Sequence, residues 1–430
     1  MARIAFFSEL MSTIFERRAT TPPGPSQRPI TELCDALLSS QGEVSGVRLA
    51  RDILSHYRAM SAEARRAFFD HLAQALDLDP AAVIEAAKRY GASHAPGDLA
   101  RLSREAEPRR QELFRRLNQA PGATETLVRM RLDLLRLLPD APRLGVIDTD
   151  FQHLFASWFN RGFLVLRHID WRTPANILEK IIEYEAVHAI NDWHDLQRRL
   201  RPDDRRCFAF FHPAMPEEPL IFVEVALCKG IPGSVQALLA EERSAETEFD
   251  TAVFYSISNC QEGLRGISFG NSLIKQVVEE LKRDLPQVSR FVTLSPIPGL
   301  VRWLKERAPE RPEAAALIEA ADPETLRPHA EDLRRLTAEY LLKAKRGDGL
   351  PVDPVARFHL GNGAALHDIH ALADISANGL RQSRTAMVNY LYDPEKVEQN
   401  NECFVTQREV TASKQVHALL AQRNTTGRRQ

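Results

Sequence analysis

Thr251-Ala-Val-Phe-Tyr-Ser-Ile-Ser258, the turn Arg265-Gly-Ile-Ser-Phe-Gly-Asn271, a helix-forming stretch from about Ser272 to Lys282 and the run Arg290-Phe-Val-Thr-Leu294 together decide the fold of this chain. Short runs rich in β-branched and aromatic residues read as strands, and the amphipathic stretch between two of them reads as a helix. Strand, glycine-bearing turn, helix and strand in this order predict an α/β or α+β domain. Glycines in the turn let the backbone approach a ligand closely, and free N–H groups at a helix start attract phosphate. The spacing is neither a Walker loop nor a dinucleotide fingerprint. A plain turn and helix cap therefore stands beside the phosphate-binding reading.

Upstream the strand signals continue back to Arg206, through Leu220-Ile-Phe-Val-Glu-Val-Ala-Leu227 and Cys207-Phe-Ala-Phe-Phe211. Before them lie a helix through Ile177, Ile181 and Ile182 and the short run Phe163-Leu-Val-Leu166. Around Gly162 the texture changes. From Ile30 to about Phe159 the pattern is helical almost throughout, with Leu37, Leu38, Val44, Val47 and Ile53 in one stretch and Leu127, Met130, Leu134 and Leu138 in another. The division is thus an all-α domain over 1–160 and an α/β domain over 161–430. In the first, Arg109, Arg110, Arg115, Arg116, Arg129 and Arg131 read most simply as a solvated face. Residues Thr20 to Arg28 read as a lead-in, and 301–346 as helical and charged, broken by prolines.

A chain of 430 residues exceeds one typical core, which fits two domains. The net charge of −2 gives no general attraction to nucleic acid or an anionic membrane, so an anionic ligand requires a local basic patch. Five cysteines, widely spaced and without Cys-x-x-Cys, suit a reducing compartment. No apolar run reaches the ~20 residues of a membrane span. Met1-Ala-Arg-Ile-Ala-Phe-Phe7 makes a poor secretory signal, and Gly427-Arg-Arg-Gln430 is not a peroxisomal address. The expected location is the cytoplasm.

Chemistry concentrates in Phe291-Val-Thr-Leu-Ser-Pro-Ile-Pro-Gly-Leu300 and Phe358-His-Leu-Gly-Asn-Gly-Ala364. An apolar strand ends at Ser295, and two prolines and a glycine fix the backbone beyond it. His359 precedes a Gly-Asn-Gly turn. A serine and a histidine held at the ends of ordered elements can manage a carboxylate and a proton. A Gly-x-Ser-x-Gly elbow is missing, because Thr293 and Ile297 flank the serine, so proton handling fits better than acyl-enzyme chemistry. His367 and His370 invite a metal, but only Asp368 and Asp374 lie near them, and no metal site is expected. Asn389 and Tyr392 are weaker candidates for positioning.

Ser295-Pro-Ile-Pro-Gly299 and His359-Leu-Gly-Asn-Gly-Ala364 resemble the signature segments of the malonyl-CoA decarboxylase family. Phe254-Tyr-Ser-Ile-Ser258, Gly263-Leu-Arg-Gly266, Leu273-Ile-Lys275 and Asn389-Tyr-Leu-Tyr392 agree in the same order, as do Glu185-Ala-Val-His188 and Glu218-Pro-Leu220. The resemblance implies a GNAT-like catalytic domain that binds acyl-CoA, behind a helical N-terminal domain that helps assemble a homodimer or homotetramer. That would make the arginines of the first domain a subunit contact. It also implies that Arg265, Gly266, Ile267, Ser268, Phe269, Gly270 and Asn271 form the pyrophosphate-binding loop, with Lys275 adding charge. Animal relatives carry an acidic residue where this chain has Ser268, so a role for that carboxylate does not carry over. The implied reaction converts malonyl-CoA to acetyl-CoA and CO2 with no metal or organic cofactor. Ser295 would orient the departing carboxylate, and His359 would protonate the carbanion-like carbon. An acyl-CoA-dependent N-acyltransferase and a non-catalytic acyl-CoA sensor remain as alternatives.

Overall fold

The computed structural model describes residues 28–40, 42–240, 249–267 and 273–421. The chain divides between Phe155 and Ala156 into two compact units. Among the described residues the first holds eight α-helices, from α1 (Ile30–Ser39) to α8 (Gly145–Trp158). Local chemistry sets their starts: Ser61 accepts the Ala64 N–H, and Asp79 accepts those of Ala81 and Ala82 ahead of Pro80 in the first turn. Phe114 and Phe151 stack in the core with ring centroids 4.3 Å apart.

One expectation for this unit needs correction. Arg110 and Arg131 are not on a solvated face but inside: Arg110 bonds Asp150 and Asp77, and Arg131 bonds Asp148 at 2.8 Å. Asp148 and Asp150 of the helix Gly145–Trp158, and Asp77 of a bend, neutralise them. Val44 is 88% exposed. It opens the helix Glu43–Ala59 on the side away from Ala50, Ile53, Leu54 and Tyr57, which make that helix's buried face.

The second unit is built on an eight-stranded sheet of order β1-β2-β3-β4-β5-β8-β6, with β7 also on β8. Its strands are β1 (Val165–Ile169), β2 (Arg205–His212), β3 (Met215–Cys228), β4 (Thr251–Asn259), β5 (Arg290–Thr293), β6 (Ser295–Pro296), β7 (Ala365–His370) and β8 (Met387–Leu391). Only β4 and β5 run parallel, as the intervening helix α12 (Leu273–Asp284) requires. The remaining helices are α9 (Ala175–Tyr184), α10 (Trp193–Leu200), α11 (Val235–Leu239), α13 (Leu300–Arg307), α14 (Pro312–Glu319), α15 (Pro323–Leu326), α16 (Ala330–Lys343), α17 (Pro354–Gly361), α18 (Ala377–Ser383), α19 (Val397–Gln407) and α20 (Lys414–Ala421). A helical region followed by a mixed α/β sheet domain is the expected class. No helix among the described residues is long and apolar enough to cross a membrane.

Alternation along the strands places Val223, Val225, Phe254, Val388 and Tyr390 on the face covered by α12, α13, α16 and α17. Ile177, Ile181, Leu196 and Phe222 fill the other side. The register then opens the sheet at one place. β4 pairs with β5 only over Thr251–Phe254, and after a last bond from the Leu294 N–H to the Phe254 carbonyl the chain turns to β8. A bulge against Glu224 and Val225 skips Tyr255 at the same level. β4 and β5 therefore part just where Ser295 begins.

Candidate functional site

Ser295 pairs with Val388 across β6 and β8, so its position is set by the sheet. Pro296 and Pro298 then bring the chain to Gly299, whose added β-carbon would lie 2.1 Å from the Tyr340 hydroxyl. The Gly299 N–H donates to Asp353 Oδ2 at 3.3 Å, and Asp353 Oδ1 caps α17 by accepting from Val355 and Ala356 at 2.9 Å each. One carboxylate thus ties the segment after Ser295 to the helix that carries His359. At the far end of α17, Gly363 has φ 84°, and an added β-carbon would meet the Val397 carbonyl at 2.0 Å. Asn400 and Asn401 of α19 donate to the carbonyls of Gly363 and Gly361 at 3.1 and 2.7 Å. His359 is clamped from both ends.

Ser295 Oγ lies 3.1 Å from His359 Nε2, and His359 Nδ1 lies 2.8 Å from the Tyr392 hydroxyl. Tyr390 stacks on the imidazole at 4.6 Å with the planes 23° apart. Ser295 Oγ donates to Thr293 Oγ1 at 2.8 Å, and the same Thr293 oxygen accepts the Tyr390 N–H at 3.1 Å. Followed backwards, this direction makes Nε2–H the donor to Ser295 and Nδ1 the acceptor from Tyr392. All three side chains are buried. Burial pushes the His359 imidazole down to about 3, so it is neutral at physiological pH. Burial also raises the Tyr392 hydroxyl well above its usual range. Tyr392 in turn lines a cleft of about 700 Å³ together with Arg161, Lys275, Lys282, Asn362 and Glu398. The dry chain therefore reaches an open space with cations on its wall.

The structure does not bring every expected residue to this chain. Asn389 sits on the other side of β8, with its amide nitrogen on the Thr293 and Pro232 carbonyls at 2.8 and 3.3 Å and its oxygen 2.5 Å from His370 Nε2. Strand alternation separates it from Tyr390, and it braces the strand instead. Arg265, Gly266 and Ile267 precede α12 as expected, and Gly266 takes a left-handed φ of 82°. Ser268, Phe269, Gly270 and Asn271 lie outside the described residues. Lys275 pairs with Glu398 at 3.0 Å across the cleft. His367 and His370 gather no third ligand: among the described residues no group of three His, Cys, Asp or Glu side chains is placed to hold a metal ion. Sequence reasoning missed Thr293, Tyr390 and Asp353. The first two lie two residues before Ser295 and Tyr392, so strand alternation was the available signal.

With Tyr392 where a hydrolase triad has a carboxylate, no carboxylate among the described residues bonds His359 to compensate an imidazolium, and the arrangement suits proton transfer rather than acyl-enzyme formation. A helical region, an α/β domain and a buried serine–histidine–tyrosine chain make up the candidate site, and comparison with known proteins places the chain in a family. The model of the malonyl-CoA decarboxylase C-terminal domain matches residues 162–430, and that of the N-terminal domain matches 76–159. The chain belongs to the malonyl-CoA decarboxylase family. It is 35% identical over 422 residues to a mitochondrial malonyl-CoA decarboxylase of Anser anser anser, covering 87% of this chain and 84% of that one. Crystal structures of malonyl-CoA decarboxylases from Rhodopseudomonas palustris (50% identity, TM-score 0.84, 90% and 98% of the two chains) and Agrobacterium vitis (48%, 0.86, 91% and 99%) share its fold.

Proposed function

We propose that this chain decarboxylates malonyl-CoA to acetyl-CoA and CO2 through Ser295, His359 and Tyr392, with no metal or organic cofactor. Family membership supports the reaction, and the continuous hydrogen-bonded chain from Ser295 to the cleft supports the roles. Loss of CO2 leaves the bonding electrons as an enolate conjugated with the thioester carbonyl, so the substrate is its own electron sink. The protein must hold the carboxylate out of the thioester plane, stabilise the enolate and protonate carbon. Ser295, turning its hydroxyl hydrogen from Thr293 to the substrate, holds the carboxylate. The Nε2–H of neutral His359 passes its proton to the α-carbon while Nδ1 takes one from Tyr392; the resting tautomer returns as a proton from water enters at Nε2 and Nδ1 gives its own back to Tyr392. The ring stays neutral throughout, which its dry surroundings favour. One proton is consumed per turnover.

In the same reading, Arg265 and Gly266 ahead of α12, with Lys282 in the cleft, receive the CoA phosphates. The protein works in the cytoplasm as a homodimer or homotetramer. The test is purified protein with malonyl-CoA, the chelator EDTA and no added cofactor: equimolar CO2 and acetyl-CoA are expected. Intact malonyl-CoA in the presence of folded, CoA-binding protein would leave the transferase or the sensor. Tyr392→Phe should cost about tenfold in kcat, equivalent to the ~1.4 kcal/mol of a hydrogen bond that fixes the tautomer. Unchanged kcat would remove Tyr392 from the relay.

A further inference from the structure

A second concavity, of about 520 Å³, lies between α13, the end of α16 and the turn that returns through Val352. Arg302, Arg307, Lys343 and Lys345 line it against a single carboxylate, Glu306. Among the described residues no carboxylate forms an ion pair with any of these four cations. Their neighbours are treated differently. Arg311 is paired with Glu339 at 2.8 Å, Arg335 with Asp332 at 2.9 Å and Glu313 at 3.2 Å, and Arg346 with Asp348 at 3.4 Å. Carboxylates are thus plentiful around the pocket and reduced to one within it.

The pocket wall adds an aromatic partner. The Arg307 guanidinium sits over the Trp303 ring at 4.6 Å. Trp303 is 6% exposed, and its indole Nε1 is buried without an acceptor among the described residues. Gly299, whose N–H bonds Asp353, also lines the space.

We propose that this pocket binds a polyphosphate group, either free inorganic pyrophosphate or the phosphate tail of a nucleotide. A single carboxylate cannot neutralise four cations held apart around one cavity, whereas a di- or triphosphate spreads its charge over several oxygens. Two arginines supply forked donors that match phosphate oxygens, and two lysines supply mobile point charges. The volume lies in the range of small-ligand clefts. An occupant would bear on α13, which begins directly after Ser295-Pro-Ile-Pro-Gly299, and on Val352, next to the Asp353 that caps the His359 helix. This site is separate from the cleft that Tyr392 lines, since the two share no residue.

The experiment is calorimetric titration of the full-length protein at low ionic strength, where charge-driven binding is least screened. Inorganic pyrophosphate and ATP are titrated separately, each with and without saturating CoA. One saturable site is expected whose affinity survives CoA. Arg302→Gln and Lys345→Gln should each weaken it about tenfold, equivalent to ~1.4 kcal/mol, while Lys305→Gln on the same helix, outside the pocket, should leave it unchanged. Tighter binding of pyrophosphate identifies the free ion. Tighter binding of ATP, with quenching of fluorescence that Trp303→Phe abolishes, identifies a nucleotide. The proposal fails if CoA displaces the probe, if Lys305→Gln weakens binding as much as the pocket variants do, or if the pocket variants bind normally. Melting temperatures without ligand, compared across the variants, confirm that each is folded.

Discussion

His359→Asn lowers kcat for malonyl-CoA decarboxylation by about 10³-fold, within the range that a positioned general acid or base contributes. The asparagine amide reaches only as far as the Nδ1 position, so it preserves a partner for Tyr392 and leaves Ser295 without the one now 3.1 Å away. KM should change far less than kcat, because the lost interaction serves the transition state and not CoA binding. The pH behaviour separates this role from a structural one. Burial holds the imidazole at about 3, so kcat/KM of the wild type should show no His359 limb near the ordinary histidine range. The same burial predicts acid sensitivity. Below about 6.5 an unfolded histidine takes up a proton that the folded ring refuses until about 3, so stability is full above 6.5 and falls as pH drops through that window. Measured by denaturant unfolding, the wild type should lose ~2 kcal/mol more than His359→Asn between pH 7 and pH 5, from 1.36 kcal/mol per pH unit. An equal loss in both proteins would mean that His359 is charged in the fold, and the relay would have to be redrawn.

Much of this site was legible because it is written in local signals. Ser295 ends an apolar strand before Pro-Ile-Pro-Gly, and His359 precedes Gly-Asn-Gly, where Gly363 needs its positive φ and has no room for a β-carbon. Strand, turn and helix around 251–294 likewise announced the α/β layer. What stayed hidden depends on meetings between distant residues. Asp353 joins the two signature segments only because the chain folds Gly299 against it, 54 positions away. Arg110 and Arg131 looked solvated because their partners, Asp150 and Asp148, arrive on a later helix. Asn389 looked like a site residue from its company with Tyr392, yet strand alternation turns it to the opposite side of β8. Sequence proximity within a strand is a poor guide to which face a side chain shares.

Arg199→Met destabilises the α/β unit by about 3–5 kcal/mol at pH 7, the usual cost of stranding one member of a buried ion pair. Glu224 lies in the middle of β3, between Cys207 of β2 and Ser256 of β4, and its side chain is fully buried. Arg199 of α10 reaches it at 2.8 Å and also donates to the carbonyls of His188 and Ala189 at 2.8 and 3.2 Å. That arginine therefore pins the segment in which Glu185 accepts the N–H groups of Val187 and His188, at 2.7 and 2.8 Å, and a hydrogen bond from Ser256 at 2.8 Å. Burial pushes the Glu224 carboxyl up, the nearby Glu185 charge pushes the same way, and Arg199 is what pulls it back. Without the arginine, Glu224 must protonate to stay inside. Its folded pKa then rises further above the unfolded value, so the penalty is absent below the ordinary carboxylate range and grows as pH rises through neutrality. In the wild type that balance leaves the carboxyl at about 7, so the deficit of Arg199→Met should change little between pH 7 and pH 5 and grow as pH rises above 7. Adding Glu224→Leu removes the stranded charge and should restore most of the loss, since apolar replacement of both partners is often neutral. Thermal and urea unfolding of wild type and the two variants at pH 5, 7 and 9 decide the matter. A deficit under ~1 kcal/mol, or one that does not grow above pH 7, would show that water reaches Glu224 and that the pair is not a dry one.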